Sequence, residues 1–393
     1  MKAHVIGVLA ALCIVLTSGP LDAETTGSST ATGTSRSFNP AISVNGLFLG
    51  FYTSEPLARE PAFGHAHDEE EDHEREEGDE HEGEGEHAHE GEAGHAHSHG
   101  LPESSGLSVQ EVEVRLSAAV DAYLKGDITL AIPGTEGLEL EEAVLTTIGL
   151  PGVTLQAGKF YGVLGKHNTL HTHAFPFVDP PILGERLLGG EGLNEVGLGA
   201  SFLLPTSWYS ELTVQVLDGE NALFASEDGE DLAYLGRWGN LWDLSESSTL
   251  ELGCSYAAGR NGHGELTQLV GGDLTVKWRP LRRARDRGMT LQAEYLQARV
   301  DDGADVAVAG GMYALLQAQV SRRWWMQARY DLLGLPKLEH EREQRFSGLL
   351  AFVASEFSAL RMQYNLNRHG EETVHQLVVQ MNFTMGSHPA HSY

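Results

Sequence analysis

The chain has 393 residues, 41% of them hydrophobic, and a formal net charge of −30. This excess of acid excludes nucleic acid as a partner and favours cations. Fifteen acidic side chains and one arginine lie in residues 64–100, so this tract alone supplies −14 of the net charge.

Residues 1–23 are predicted to be a secretory signal peptide. They have a basic start, an apolar run and a small residue, Ala23, at the expected cleavage position. The apolar run is too short for a membrane span. Residues 24–41 have the composition of an N-terminal linker. Only Cys254 then remains in the mature chain, which excludes an intramolecular disulfide.

From Ile42 onward the apolar residues recur with a period of two. In "SVQEVEVRLSAAV", Val112 and Val114 fall on one face of a strand, and Glu113 and Arg115 fall on the other. The segments "SALRMQYNLNR" and "VHQLVVQMNFTM" alternate in the same way. One face of each strand therefore meets water and the other meets an oily phase.

The alternation predicts about sixteen strands of roughly ten residues, the length that a tilted strand needs to cross a bilayer. Tight turns alternate with longer polar loops, which is typical of a bacterial outer-membrane barrel and fits a soluble β-sandwich poorly. We therefore predict an all-β fold, a transmembrane antiparallel β-barrel over residues 42–385 in the cell outer membrane. A long, disordered His/Asp/Glu-rich extracellular loop is inserted at 62–106, and 386–393 form a C-terminal tail. The predicted strands lie near 42–52, 107–120, 123–133, 138–149, 153–161, 192–204, 208–217, 232–244, 248–258, 266–279, 288–299, 308–320, 323–333, 345–355, 357–367 and 373–385.

Aromatic residues cluster beside the predicted tight turns. Indole and phenol rings favour the membrane interface, so these residues predict a girdle at the periplasmic rim. The members are Trp208, Tyr209, Trp242, Trp278, Trp324, Trp325 and Phe357.

A barrel of about sixteen strands leaves a lumen wide enough for water. The charged residues predicted to line it are of both signs, which favours a transverse field over strict selectivity. The chain shows no plug-sized domain before the first strand and too few strands for an energy-coupled receptor, which favours diffusion. The predicted pore-lining residues are Glu113, Arg115, Lys125, Asp127, Asp273, Lys277, Glu294, Arg329, Asp331 and Arg361.

The loop over residues 162–191 is long and partly apolar, so we expect it to fold into the lumen. His167, His171, His173 and Asp179 lie close together in it, and such groups bind borderline divalent metals. An alternative, favoured by the proline and phenylalanine residues of the loop, is that the histidines only make hydrogen bonds.

The tract 64–100 repeats His-X-His without apolar residues that would pack into a core. Imidazole is a common ligand of zinc and also suits copper and nickel, so the tract is predicted to bind metal. Because it lacks preorganisation, the expected affinity is modest. A solvated acidic brush is the alternative. The candidate ligands in the tract are His65, His67, His73, His81, His87, His89, His95, His97 and His99.

Several motifs together resemble one family. They are "FNPAISVNGLF" from Phe38, the His-rich first loop, "VDAYLKGDITLAI", "HTHAFPF" and the ending "NFTMGSHPAHSY". This combination is similar to the zinc-regulated outer-membrane porin-like proteins of Gram-negative bacteria, distant relatives of phosphate-selective porins that are sometimes labelled TonB-dependent receptors. The resemblance spans nearly the whole mature chain. It implies expression under zinc limitation and a part in zinc passage across the outer membrane.

The resulting interpretation is an outer-membrane channel for uptake of a divalent metal, zinc, collected by the external tract. Weak binding at several positions suits a channel, because conducted ions must leave again. The alternatives are a general diffusion porin for small anions or nutrients, and a non-conducting metal-binding protein. No Ser/His/Asp spacing indicates an enzyme. The expected partners are divalent ions and membrane lipid, with a homotrimer left open and no resident cofactor.

Overall fold

A computed structural model describes residues 40–56, 100–102, 104–135, 137–225, 231–336 and 342–386. These residues form sixteen antiparallel strands, numbered here in chain order. They are β1 Ala41–Thr53, β2 Gly106–Ala119, β3 Leu124–Pro133, β4 Glu139–Thr147, β5 Val153–Tyr161, β6 Asn194–Leu203, β7 Tyr209–Leu217, β8 Ala233–Ser245, β9 Ser248–Arg260, β10 Leu266–Trp278, β11 Gly288–Asp301, β12 Val306–Ser321, β13 Trp324–Leu333, β14 Glu343–Ser355, β15 Ser358–His369 and β16 Glu372–Gly386.

The sheet is closed. Each strand pairs with the next in sequence, and β1 pairs with β16 in a register that aligns Ser43 with Gly386. Closure leaves no unpaired strand edge, which a structure within a bilayer requires because lipid offers no hydrogen bonds. The predicted antiparallel barrel of about sixteen strands is confirmed.

The two faces of each strand differ in chemistry as the alternation predicts. On β15, Met362 is 49% exposed on the outside, whereas the next residue, Gln363, is fully buried on the inside. Leu360 and Tyr364 continue the exposed apolar row. An outer surface of exposed leucine, methionine and tyrosine over a polar interior is the arrangement of a lipid-facing barrel.

The aromatic girdle needs one correction. Trp208, Tyr209, Trp278, Trp324 and Phe357 are exposed on the outside near the tight turns. Trp208 also stacks with Trp242, with ring centroids 6.1 Å apart. Trp325, by contrast, is only 7% exposed and faces the lumen. Adjacent residues of a strand point to opposite faces, so Trp324 and Trp325 cannot both face lipid.

Several strands extend beyond their predicted ends on the side of the long loops. The predicted strands 288–299 and 308–320 leave residues 300–307 as their connection, yet Asp301 pairs with Val306 and only residues 302–305 form the turn. The Asp302 carboxylate accepts hydrogen bonds from the backbone amides of Ala304 and Asp305 and closes this turn. Local side-chain bonding of this kind allows the ladder to continue further than the sequence pattern indicates.

The connection between β5 and β6, residues 162–193, lies inside the barrel and is called the inward loop below. It contains a short helix, α1 Ile182–Leu188, which follows Pro181 and ends at Gly189 with a φ of 79°. Among the described residues, no helix is both long enough and apolar enough to cross a membrane. The predicted inward folding of this connection is confirmed.

The inward loop is held by an apolar core within the lumen. Leu164, Phe177, Leu183 and Leu193 of the loop are at most 2% exposed. They belong to one cluster with inner-wall residues near the long-loop ends of the strands, namely Leu217, Leu235, Leu269 and Leu296. In this half of the barrel the lumen is therefore occupied by packed side chains, where the sequence predicted a water-filled interior.

Candidate metal centre

A bulge in β4 turns two neighbouring glutamates toward the lumen. In the pairing of β3 with β4, Thr129 aligns with Glu142 and Leu130 aligns with Leu140, so Glu141 has no partner opposite it. An extra residue of this kind breaks the alternation and redirects a side chain. Glu141 and Glu142 both reach the inward loop as a result, although adjacent strand residues ordinarily point to opposite faces.

The inward loop places two histidines against these carboxylates. His171 Nε2 lies 3.0 Å from Glu142 Oε2, and His171 Nδ1 lies 3.1 Å from Glu141 Oε2. His173 Nδ1 lies 2.8 Å from Glu113 Oε2, on β2. The two imidazole rings stack with centroids 5.8 Å apart. His171 and His173 therefore lie side by side, and the carboxylates next to them come from the barrel wall.

Hydroxyl groups fix the outer members of this cluster. The Tyr161 hydroxyl donates to Glu141 Oε1 at 2.6 Å, and the Thr172 hydroxyl donates to Glu111 Oε2 at 2.9 Å. One carboxylate oxygen of Glu141 is thereby held in place while Oε2 faces His171. Fixing a ligand through its second oxygen is the usual way in which proteins orient carboxylates around metals.

Glu113, Glu141 and His171 present one ligand atom each, and these atoms all lie within 4.8 Å of one another. Glu113 and Glu141 are buried, with exposures of 1% and 5%. With Glu111 and Glu142, four carboxyl groups and two imidazoles meet in this part of the lumen. Carboxylate oxygen and imidazole nitrogen together suit a borderline divalent ion.

The carboxylates also control the protonation of His171. Burial by itself lowers the pKa of this imidazole, but the nearby carboxylates of Glu141, Glu142 and Glu113 outweigh burial. The pKa of His171 is therefore raised well above its usual value. The carboxylates therefore favour positive charge at this position.

His167 does not join this cluster. Its ring packs against Phe175, with centroids 4.5 Å apart, and edge-on toward Tyr313. Burial, with a smaller effect of the Arg329 charge, lowers the pKa of His167 to about 3, which keeps the ring neutral. The structure therefore separates His167 from the other two histidines of the predicted set.

Asp179 is also separate from the histidines, which corrects the predicted ligand set. Its carboxylate lies 3.0 Å from Arg329 and 2.8 Å from Arg345. Gln363 and Asn365 donate to the same carboxylate at 2.6 and 2.9 Å. Because four donors occupy its oxygens, Asp179 anchors the inward loop to β13–β15 and is not positioned to bind a metal with His171.

The predicted pore-lining residues lie on the inner face of the wall, and several of them hold the inward loop. Glu294 accepts backbone hydrogen bonds from Lys166 and His167 at 3.0 and 3.2 Å. Arg361 donates to the carbonyl oxygens of Phe175 and Pro176. Near a tight turn, Asp127 pairs with Arg115 and Lys125, and Asp273, which lies opposite Glu294, pairs with Arg237. Asp331 pairs with Arg329, and Lys277 borders a cavity described below.

The sequence prediction missed Glu111, Glu141, Glu142 and Arg345. Glu141 alternates with the exposed Leu140, so the period-two pattern was sufficient to place it inside. Glu142 carried no such signal, because only the bulge turns it inward. Arg345 lies in the inner row of β14, and its partner Asp179 is 166 residues away.

Two cavities flank the cluster. A small one, about 60 Å³, is bordered by Tyr161, Thr172 and the helix α1. A larger one, about 230 Å³, lies in the half of the barrel near the tight turns and is bordered by Lys277, Trp325 and Arg361. His173 is the member of the cluster that borders the larger cavity.

The nine histidines predicted as ligands in tract 64–100 lie outside the described residues. The described residue Leu101, just after the tract, is only 3% exposed. It belongs to the lumen core together with Leu49 and Phe51 of β1. The chain is therefore anchored inside the mouth of the barrel immediately after the tract.

A closed sixteen-stranded barrel with a lipid-facing surface and an inward loop has the fold of an outer-membrane porin, and this architecture places the chain in the outer membrane.

Solved structures agree on the fold. OmpT of Vibrio cholerae without loop L8 has a TM-score of 0.54 at 7% identity, covering 88% of this chain and 100% of that one. The channel DcaP of Acinetobacter baumannii scores 0.53 at 9% identity, covering 91% and 99%. An anion-selective porin from Comamonas acidovorans scores 0.51 at 11% identity, covering 88% and 98%.

The chain belongs to the same family as a protein of Aquifex aeolicus (strain VF5) that is described as uncharacterized. The two are 30% identical over 344 residues, which cover 75% of this chain and 72% of that protein. No protein-family model matches the sequence.

Proposed function

We propose that this protein is an outer-membrane channel for the uptake of a divalent metal ion, zinc, and that the centre at Glu113, Glu141 and His171 is where the ion binds inside the lumen. The observation that carries the proposal is the convergence of these three ligand groups within 4.8 Å, two of them on buried carboxylates. The porin fold supplies the path across the membrane, and the inward loop supplies the histidine.

The ligand chemistry supports zinc among the divalent ions. Imidazole with carboxylate suits Zn²⁺, whereas Mg²⁺ and Ca²⁺ prefer oxygen alone. Copper binds most N/O sites more tightly than zinc, so in the cell the choice depends on availability. Expression under zinc limitation, which the sequence resemblance implies, is part of this proposal.

The external tract 64–100 has the role of collecting the ion. Its repeated His-X-His pairs and carboxylates attract Zn²⁺ with modest affinity, so that the ion is released again. The burial of Leu101 in the mouth of the barrel supports this role, because it tethers the end of the tract near the entrance.

The proposal also includes that the protein is exported and is not an enzyme. Residues 1–23 are removed as a signal peptide, 24–41 link to the barrel, 386–393 form a tail, and the barrels assemble as homotrimers. OmpT of Vibrio cholerae has been solved in a trimer form.

A general diffusion porin for anions is the alternative. Arginines would supply its selectivity, but Arg329, Arg345 and Arg361 all donate to oxygens of the inward loop. Because these guanidinium groups are hydrogen-bonded to the inward loop, they are not available to bind anions in the lumen. This observation favours the metal channel.

The test is zinc flux into proteoliposomes that contain the full chain and a zinc-sensitive dye, alongside planar-bilayer conductance with and without micromolar Zn²⁺. We expect zinc flux in the wild type and a loss of roughly 10-fold or more in Glu141→Gln and His171→Ala. His167→Gln is the matched control, because this histidine belongs to the same loop but not to the cluster. Removal of residues 64–100 is expected to slow flux only at low Zn²⁺ concentration.

Two outcomes would contradict the proposal. Conductance that is indifferent to Zn²⁺ and to both substitutions would indicate a general porin. Zinc binding without any conductance or flux would indicate a non-conducting metal-binding protein.

A further inference from the structure

The carboxylate of Glu113 lies beside both histidines of the inward loop, His171 and His173. Glu113 Oε2 lies 2.8 Å from His173 Nδ1 and 3.5 Å from His171 Nδ1, so one carboxylate oxygen is shared between the two imidazoles. Glu113 is 1% exposed and extends from the middle of β2, between the bulge in β4 and the inner row of β16. It is the carboxylate that contacts both histidines.

The two histidines face different parts of the lumen. His171 lies on the side of Glu141, Glu142 and Tyr161, toward the long-loop end of the strands. His173 borders the larger cavity, whose other walls include Thr275, Lys277 and Trp325 near the tight turns. By the topology of outer-membrane barrels, the tight turns face the periplasm. The carbonyl oxygen of His173 also accepts a hydrogen bond from Asn382 of β16, which fixes this residue at the edge of the cavity.

We propose that Glu113 and His173 form a second, exit-side position for the divalent cation. The ion first binds at Glu141 and His171, is transferred through the shared carboxylate of Glu113, and leaves through His173 into the periplasm-facing cavity. This inference rests on the proposed function and adds to it a direction and a sequence of ligands.

The arrangement has a physical reason. A single buried site with three or more strong ligands holds zinc too tightly to conduct it, whereas two adjacent positions that share a ligand allow each bond to be replaced as it breaks. The ring centroids of His171 and His173 are 5.8 Å apart, which makes the transfer a step of a few ångströms. An imidazole binds the ion through an unprotonated nitrogen, so any proton on that nitrogen leaves to water as the ion arrives and returns as the ion moves on; otherwise the ion only exchanges ligands.

The test compares His173→Ala with His171→Ala in the full chain, with His167→Gln as the matched control from the same loop. Calorimetric titration with Zn²⁺ reports binding, and dye-loaded proteoliposomes report flux. We expect His171→Ala to lose both the tightest binding step and the flux. We expect His173→Ala to keep that binding step but to pass zinc roughly 10-fold more slowly. Folding of each variant is checked by its heat-modifiable mobility on gels.

His173→Gln keeps more of the side-chain volume and provides a second variant in case His173→Ala does not fold. It is expected to keep the tight binding step and to slow the flux as His173→Ala does, because it removes the exit-side imidazole. The exit-side position is overturned if wild type and His171→Ala behave as stated while His173→Ala passes zinc at the wild-type rate. It is also overturned if His173→Ala loses the tight binding step as completely as His171→Ala. Absence of zinc flux in the wild type would overturn the proposed function itself, and the transfer with it.

Discussion

Asp179 in the inward loop and Arg345 on β14 form an ion pair of 2.8 Å between side chains that are almost completely buried. Arg329 completes the clamp from β13 at 3.0 Å. The Arg329 guanidinium also lies 4.7 Å from the centre of the Phe177 ring, in cation–π contact with the loop. The position of the inward loop, and with it the position of His171 and His173, therefore depends on a buried charge network on the wall.

Replacement of Asp179 by asparagine is expected to release the inward loop. Removal of one partner of a buried ion pair costs about 3–5 kcal/mol, because the remaining charge stays buried without compensation. The barrel ladder is untouched, so the variant should still fold. We expect larger and noisier conductance and cleavage of the loop by added protease, with Glu185→Gln as a milder control since Glu185 lies 3.5 Å from Arg345. Wild-type conductance and protease resistance in Asp179→Asn would show that the clamp does not hold the loop.

Acid is expected to open the same clamp only at very low pH. Burial by itself raises the pKa of Asp179, but Arg329 and Arg345 outweigh burial and lower it to about 2, below the ordinary value of 3.8. A depressed pKa means that the charged form stabilises docking, fully above the ordinary pKa and progressively less as pH falls toward 2. Digestion by pepsin at several pH values between 4 and 2 measures the release of the inward loop. Cleavage of the loop is expected to begin near pH 2. Cleavage already complete at pH 4 in the wild type would contradict it, and Asp179→Asn should be cleaved throughout.

Gly158 on β5 is expected to tolerate no side chain. Its φ is 133°, and an added Cβ would collide with the carbonyl oxygen of Ala143 on β4. Such a backbone conformation costs other residues about 1–3 kcal/mol before any clash is counted. Urea unfolding should show Gly158→Ala to be destabilised by at least this amount. Gly348→Ala is the control, since no atom lies within 4 Å of the place that its added methyl group would take. Equal stability of the two variants would contradict the prediction.

Cys254 on β9 is expected to react only with reagents that dissolve in lipid. It is exposed, and it lies in the outward row with Leu252 and Tyr256. In liposomes a pyrene maleimide should label it, while a charged thiosulfonate should not. The double variant Cys254→Ser, Lys277→Cys should reverse this preference, because Lys277 borders the periplasm-facing cavity. Labelling of Cys254 by the charged reagent would contradict its placement against lipid.

The sequence was sufficient to predict the barrel because side chains alternate in strands, and an oily outside with a polar inside imposes that alternation on every strand. Leu360, Met362 and Tyr364 fall on one face whatever the tertiary arrangement. The same reasoning was sufficient for the inward loop, whose apolar residues have no other core to join. The same reasoning failed at Trp325, because only one of the adjacent residues Trp324 and Trp325 can face lipid. It also failed at Glu142, because the bulge in β4 interrupts the alternation.

The sequence by itself thus determined the all-β barrel, the approximate positions of its strands and its lipid-facing rows, since these follow from local periodicity. The spacing of one residue between His171 and His173 also determined that the two rings lie near each other. Only the tertiary structure decided which carboxylates meet those histidines. Glu113, Glu141 and Glu142 come from two strands and a bulge, while Asp179, closest in sequence, is bound by Arg329 and Arg345 instead. Contacts between residues distant in the chain depend on closure of the barrel and on packing of the loop within it, and these carry no signature in local sequence.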